Sequence, residues 1–128
     1  GALTGSYPNP GLAAPEAYHL VGSAGEPTFL NSWVNFGSGD STTGFYKDGF
    51  GVVHLKGTVK SGTAANGTTG NIFVLPAGYR PAEGQQFSGG DASGSGQIAV
   101  LSSGDVRALN GAGNILLPVD GITFRAGA

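Results

Sequence analysis

Phe50-Gly51-Val52-Val53-His54-Leu55-Lys56-Gly57-Thr58-Val59-Lys60 is the stretch whose reading decides the fold. In an extended chain, Val53, Leu55 and Val59 point one way, while His54, Lys56, Thr58 and Lys60 point the other. Alternation with period two is the mark of a half-buried antiparallel strand. Just before it, Asp48-Gly49 is a strong hairpin signal, with Phe45-Tyr46-Lys47 as the returning partner. Residues 45–60 therefore predict a β-hairpin with one long arm.

The same grammar extends both ways along the chain. Upstream, residues 17–21 and 33–36 read as short strands. Downstream, Asn71-Ile72-Phe73-Val74-Leu75 is a strand stopped by Pro76, and residues 85–88, 97–101, 105–109, 114–117 and 121–125 follow. Their separators (Gly89-Gly90-Asp91, Ser102-Ser103-Gly104, Asn110-Gly111, Asp120-Gly121) all carry turn chemistry. Short strands recurring at about 8–12 residues with glycine-centred turns predict an all-β, antiparallel β-sandwich of jelly-roll type. No window carries the apolar stripe of a helix.

Composition narrows the function. With 128 residues the chain has room for one domain and a leader, and for a core without staples. It has no cysteine, which removes disulfides and thiolate metal sites together and suits assembly in a reducing cytoplasm. Six Lys+Arg against eight Asp+Glu are scattered without a basic run, so the electrostatic footprint of nucleic-acid binding is missing. No apolar run is long enough to cross a membrane as a helix, and no signal-peptide pattern opens the chain. Charged residues make up 11% of the chain, against roughly 25% in ordinary soluble domains. A surface so poor in charge either meets partners or relies on Ser, Thr, Asn and Gly for solubility. The 25 glycines punctuate β-prone runs and do not form low-complexity tracts.

The leader is a separate unit. In Leu3-Thr4-Gly5-Ser6-Tyr7-Pro8-Asn9-Pro10-Gly11-Leu12, both prolines lock φ and push the residues before them toward extended backbone. Residues 1–16 thus predict an extended connector, and residues 17–128 the sandwich. Leu3, Tyr7 and Leu12 are apolar pegs needing a neighbouring surface, which other copies of the chain would supply. The first residue is not Met, which predicts further sequence before it.

The run Leu3 to Pro10 resembles the L-T-G-x-Y-P-N-P connector of tail-fibre and receptor-binding proteins of tailed bacteriophages. A second resemblance covers most of residues 33–125. Phe45-Tyr46-Lys47-Asp48, Val53-His54-Leu55-Lys56-Gly57 and Leu75-Pro76-Ala77-Gly78-Tyr79-Arg80-Pro81 are similar, in this order, to phrases of a small β domain near the C-terminus of phage tail proteins. The resemblance implies a homotrimeric tail-fibre or receptor-binding tip on the virion, in contact with other tail proteins. Its implied partner is a host-surface glycan or protein. It carries over no fixed binding residues. Without the family, the Leu75–Pro81 run still reads as a rigid corner: Tyr79 lays its ring on the core with its hydroxyl on backbone, and Arg80 caps nearby carbonyls.

Candidate chemistry is sparse. No Gly-x-Ser-x-Gly elbow occurs, and Gly94-Ser95-Gly96-Gln97-Ile98-Ala99 matches a dinucleotide fingerprint without the helix it needs. Asp48 and Asp120 precede glycine as turn residues, so they are poor candidates for a glycosidase pair. No catalytic residue, cofactor or metal site is assigned, and the chain is expected not to be an enzyme. His54 reads as a solvated or interface histidine. The sharper alternative gathers three copies of it on a three-fold axis around a metal ion or anion. Ligand contacts are assigned to loops 37–43, 63–70 and 88–96, with Asp40, Asn66 and Asp91 as polar contacts. Trp33, Tyr18 and Tyr46 are the aromatic faces for a sugar, although a sole Trp in a small β domain is more often core.

Overall fold

The computed structural model describes residues 3–4, 11–12, 16–63, 70–89, 96–109 and 116–127. Among them there is no α-helix, and the chain is an antiparallel β-sandwich. The strands are β1 (Leu3–Thr4), β2 (Gly11–Leu12), β3 (His19–Leu20), β4 (Val34–Asn35), β5 (Gly44–Lys47), β6 (Val52–Lys56) and β7 (Thr58–Lys60). They continue with β8 (Asn71–Val74), β9 (Gln85–Gly89), β10 (Gly96–Val100), β11 (Asp105–Leu109), β12 (Leu117–Pro118) and β13 (Thr123–Arg125).

Three sheets make the body: β13-β6-β5-β3, β12-β7-β4 and β8-β11-β10-β9. One core joins them. Phe45, Val53, Leu55 and Phe124 come from the first sheet, Val59 and Leu117 from the second, and Ile72, Phe73, Ile98, Val100 and Val106 from the third. Phe45 and Phe73 stack across the sandwich with centroids 6.1 Å apart. Ile72 and Phe73 are adjacent yet both buried, and the ladder of their strand with β11 slips its register between Val106 and Arg107. A bulge lets two neighbours face the same core.

The long arm foreseen over residues 50–60 is two strands in two sheets. Gly57 divides them at φ +128°, a conformation that side chains rarely adopt, and a Cβ there would overlap Thr43. Past that break the alternation fails, with the neighbours Thr58 and Val59 both buried. Thr58, expected to face solvent, is 5% exposed and packs beside Val59. Asp120 holds the break, its carboxylate accepting the Gly57 N–H at 2.8 Å and the Ser41 hydroxyl at 2.8 Å.

The hairpin lies where Asp48 places it, but its loop is longer than a two-residue Asp-Gly turn. The Gly51 N–H donates to the Asp48 carbonyl, and Gly51, at φ +83°, is the left-handed residue. A turn followed by a left-handed glycine is the usual three-residue hairpin. In the leader, Leu3 pairs with Leu12 and Thr4 with Gly11 in an antiparallel ladder, so the two peg positions lie opposite each other. Tyr7 lies outside the described residues.

Candidate functional site

Strand alternation splits β3 and β5 into two chemistries. His19 pairs with Phe45 on the inner side of the sheet, whereas Tyr46 pairs with His54 on the outer side.

The outer face carries an aromatic ridge. Tyr46 and His54 stack almost parallel, 4.7 Å apart and 8° between planes. Tyr18 meets Tyr46 edge-on at 4.9 Å and is 43% exposed. Lys56 Nζ stands 4.7 Å over the Tyr18 ring, a cation–π contact, and donates to Thr42 Oγ1 in the loop of residues 37–43. At the other end, the His54 Nε2–H donates to Asp48 Oδ2 at 2.8 Å. Asp48 Oδ1 accepts the N–H groups of Phe50 and Val52, at 2.9 and 3.0 Å. These contacts, the His54 bond first and the Val52 N–H next, hold the Asp48 carboxyl below the ordinary aspartate value. The carboxylate stiffens a tip that presents Phe50, 69% exposed.

The inner side carries a polar knot at the edge of the core. His19 lies against Phe45 at 5.1 Å and meets Tyr79 edge-on at 5.3 Å. Its Nδ1 is 2.8 Å from Glu26 Oε2, and its Nε2 is 3.1 Å from the Tyr79 hydroxyl and 3.4 Å from Glu16 Oε2. Tyr79 in turn donates to Glu16 Oε2 at 2.9 Å, and the Lys47 N–H donates to Glu16 Oε1 at 2.8 Å. Lys47 Nζ reaches the Gly78 carbonyl and stands 5.0 Å over the Tyr79 ring. The bond to Glu26, helped by Glu16, raises the His19 pKa against the opposing effect of burial. Burial alone would raise Glu16, but the Lys47 N–H, Tyr79 and His19 together hold it below its usual value. Burial and the bond to Glu16 push Tyr79 up to about 12.

The residues foreseen as ligand contacts scatter. Tyr46 is on the ridge. Asp40 is exposed in the turn closed by its own N–H on the Gly37 carbonyl, in the loop that borders Lys56 through Thr42. Trp33 is corrected: it is 1% exposed, packed against Gly62 in the core, so its ring offers no face to a sugar. Its indole N–H has no hydrogen-bond partner among the described residues. Asn66 and Asp91 lie outside the described residues. His54 belongs to Asp48 and Tyr46, and no group of His, Asp or Glu among the described residues is arranged to hold a metal ion. At the corner, Arg80 donates to the Leu75 carbonyl at 2.8 Å as foreseen, whereas the Tyr79 hydroxyl bonds side chains and not backbone.

The knot escaped the sequence reading altogether. Tyr79 lies 60 residues from His19 and 63 from Glu16, and no local pattern connects them. Two open clefts, of 440 and 520 Å³, meet at Ala82, the first lined by Glu83, Gln85 and Arg125 and the second by Arg80 and Pro81.

No family model matches the chain, and no curated protein matches it. Its fold is similar to the crystal structure of the receptor binding protein (gp15) of Listeria phage PSA, with a TM-score of 0.64 and 20% identity. The likeness covers 80% of this chain and 63% of that one, so the chain spans less than two thirds of that structure. What it shares with that phage protein is the β-sandwich fold.

Proposed function

We propose that the chain is a receptor-binding domain of a bacteriophage tail fibre, carried on the virion and adhering to the host bacterial surface. The observation that carries this reading is the fold shared with a phage receptor binding protein. The Leu3 to Pro10 connector and the charge-poor surface support it. The domain works as a homotrimer, and its ligand is a surface glycan. Contacts come from the loop bearing Asp40, from Tyr18 and Tyr46 on the ridge beside it, and from the loops containing Asn66 and Asp91. Adhesion comes from number: three weak sites on one rigid tip, multiplied over several fibres, raise avidity by about 10²–10⁴ over a single site. No chemical step is assigned.

One observation favours a second reading, a structural virion module without a ligand. Tyr46 is stacked on His54 and Lys56 caps Tyr18, so part of the aromatic surface is already engaged within the chain. Light scattering on the eluting protein and adsorption of labelled protein to bacterial strains separate the two. A trimer that coats susceptible cells and blocks phage adsorption supports the receptor-binding reading. A trimer that coats no strain supports the structural module, and a monomer overturns both.

A further inference from the structure

Arg80 carries more hydrogen-bonding capacity than its place at the corner uses. A guanidinium holds five N–H donors in a planar fork. One of them, at Nε, donates to the Leu75 carbonyl at 2.8 Å and caps the corner. No carboxylate among the described residues lies within ion-pair reach of the other four. Nor is any of them buried without a partner, a condition met among the described residues only by the Trp33 indole. They open into the cleft of 520 Å³, which Arg80 lines together with Ser102.

The fold fixes the fork in place. The Arg80 carbonyl accepts the Gly127 N–H at 2.8 Å, and the Leu75 N–H donates to the Gly104 carbonyl at 2.8 Å. Gly104 stands at φ +95° in the turn closed by its own N–H on the Leu101 carbonyl, and a Cβ there would overlap Arg80 at Nε and Cδ. The Arg80 side chain therefore lies against the turn that carries Ser102, an exposed residue. A donor set already held by packing and by its own hydrogen bond loses little freedom when a ligand arrives. The group that matches it is an oxyanion, since carboxylate and phosphate oxygens take two N–H groups of one guanidinium side by side.

We propose that the Arg80–Ser102 cleft seats the carboxylate or phosphate of an acidic sugar, with Arg80 as the forked donor and the Ser102 hydroxyl as a further one. The adjoining cleft of 440 Å³ meets it at Ala82 and takes the rest of the molecule. There Glu83 accepts, Arg125 donates and Gln85 does both, the mixture that sugar hydroxyls need. Both volumes fall within the range of small-ligand sites. The lining of the two clefts holds two guanidinium groups and one carboxylate, so charge favours an anion over a neutral sugar. That a sugar bears the anion rests on the glycan reading above, whereas the oxyanion seat rests on Arg80. The site shares no residue with the ridge or with the loop of Asp40.

The test is NMR titration of the full chain, at constant pH and ionic strength, with three sugars of one ring: glucose, glucuronate and glucose 6-phosphate. Saturable shifts of the Ser102 and Ala82 amides are expected with the two acidic sugars and not with glucose, and the tighter of the two tells carboxylate from phosphate. Ser102→Asp leaves the Leu75 cap intact, sets a negative charge in the cleft and is expected to weaken binding about ten-fold. Arg80→Lys keeps the charge and removes the fork, with about five-fold weakening expected, and it keeps the proposal open to refutation should Ser102→Asp fail to fold. Glucose that shifts these amides as far as the acidic sugars overturns the proposal. So do acidic sugars that shift neither amide, and an affinity unchanged in either variant. Adsorption to cells is a separate measurement, so a failure here is distinguishable from a failure of the receptor-binding reading.

Discussion

His19 and His54 flank the same strand from opposite sides of one sheet. Each is stacked on a residue of β5, His19 on Phe45 and His54 on Tyr46, and each meets a carboxylate at 2.8 Å. Yet His19 is wired to two carboxylates and a tyrosine drawn from three separate segments, while His54 takes its carboxylate from its own hairpin. A step of one residue along β5 separates a long-range clamp from a local brace. The clamp ties distant parts of the chain to the core, and the brace shapes a surface that solvent and partners can reach. Local order and tertiary order therefore use the same pair of residue types for different ends.

Substitutions can break that contrast. The largest effect is expected from Phe45→Ala, which removes the common floor of the His19 and Tyr79 rings and the stacking partner of Phe73. A buried Phe truncated to Ala costs about 3–5 kcal/mol, so the unfolding temperature should fall steeply and the inner-side ring contacts should loosen. Tyr79→Phe is expected next, at about 1 kcal/mol for the hydrogen bonds it leaves unmade, read by chemical denaturation. Its signature is selective: the ridge and any adsorption to cells should be unaffected.

The pH profile of stability sharpens the contrast further. His19 has a raised folded pKa, so its contribution is full below the ordinary value of 6.5 and is lost as pH rises through the folded value. Glu16 has a lowered one, so its contribution is full above the ordinary value of 4.5 and fades as pH falls through the folded value. Unfolding free energy measured against pH should therefore be highest between those two limits. His19→Gln should remove the alkaline decline and leave the acid one. Smallest of all is the effect expected of Asp48→Asn on the ridge, a small fall in melting temperature, because its partners are local and only half-buried. Tyr46→Ala provides the converse of Tyr79→Phe: under the receptor-binding reading it weakens adsorption to cells while the knot keeps its His19 titration.

How far the sequence could be read follows the same division. The hairpin at Asp48, the strand at residues 105–109 and the stop at Pro76 were legible, because turn chemistry and alternation act over a few residues. The Phe50–Lys60 run misled because alternation counts residues and not sheets. Gly57 sits inside that run, and only its positive φ and the packing of Thr43 against it turn the chain into the next sheet. Trp33 was a candidate sugar face on its residue type, and its burial became visible only when Gly62 closed over it. Tyr46 lies on the ridge, and Asp40 in the loop that reaches it through Thr42 and Lys56, whereas Glu16 and Glu26 drew no attention as isolated polar residues.

The order of amino acids by itself determined an all-β chain with turns at its Asp-Gly and glycine-rich points, a charge-poor surface and a hairpin presenting Phe50. Tertiary structure alone decided which strands share a sheet, which aromatic ring is core, and which acids His19 meets. Backbone preference and side-chain alternation are properties of near neighbours along the chain. Closure of one sheet on another brings together groups some sixty positions apart, and their spacing, charge and access to water exist only after that closure.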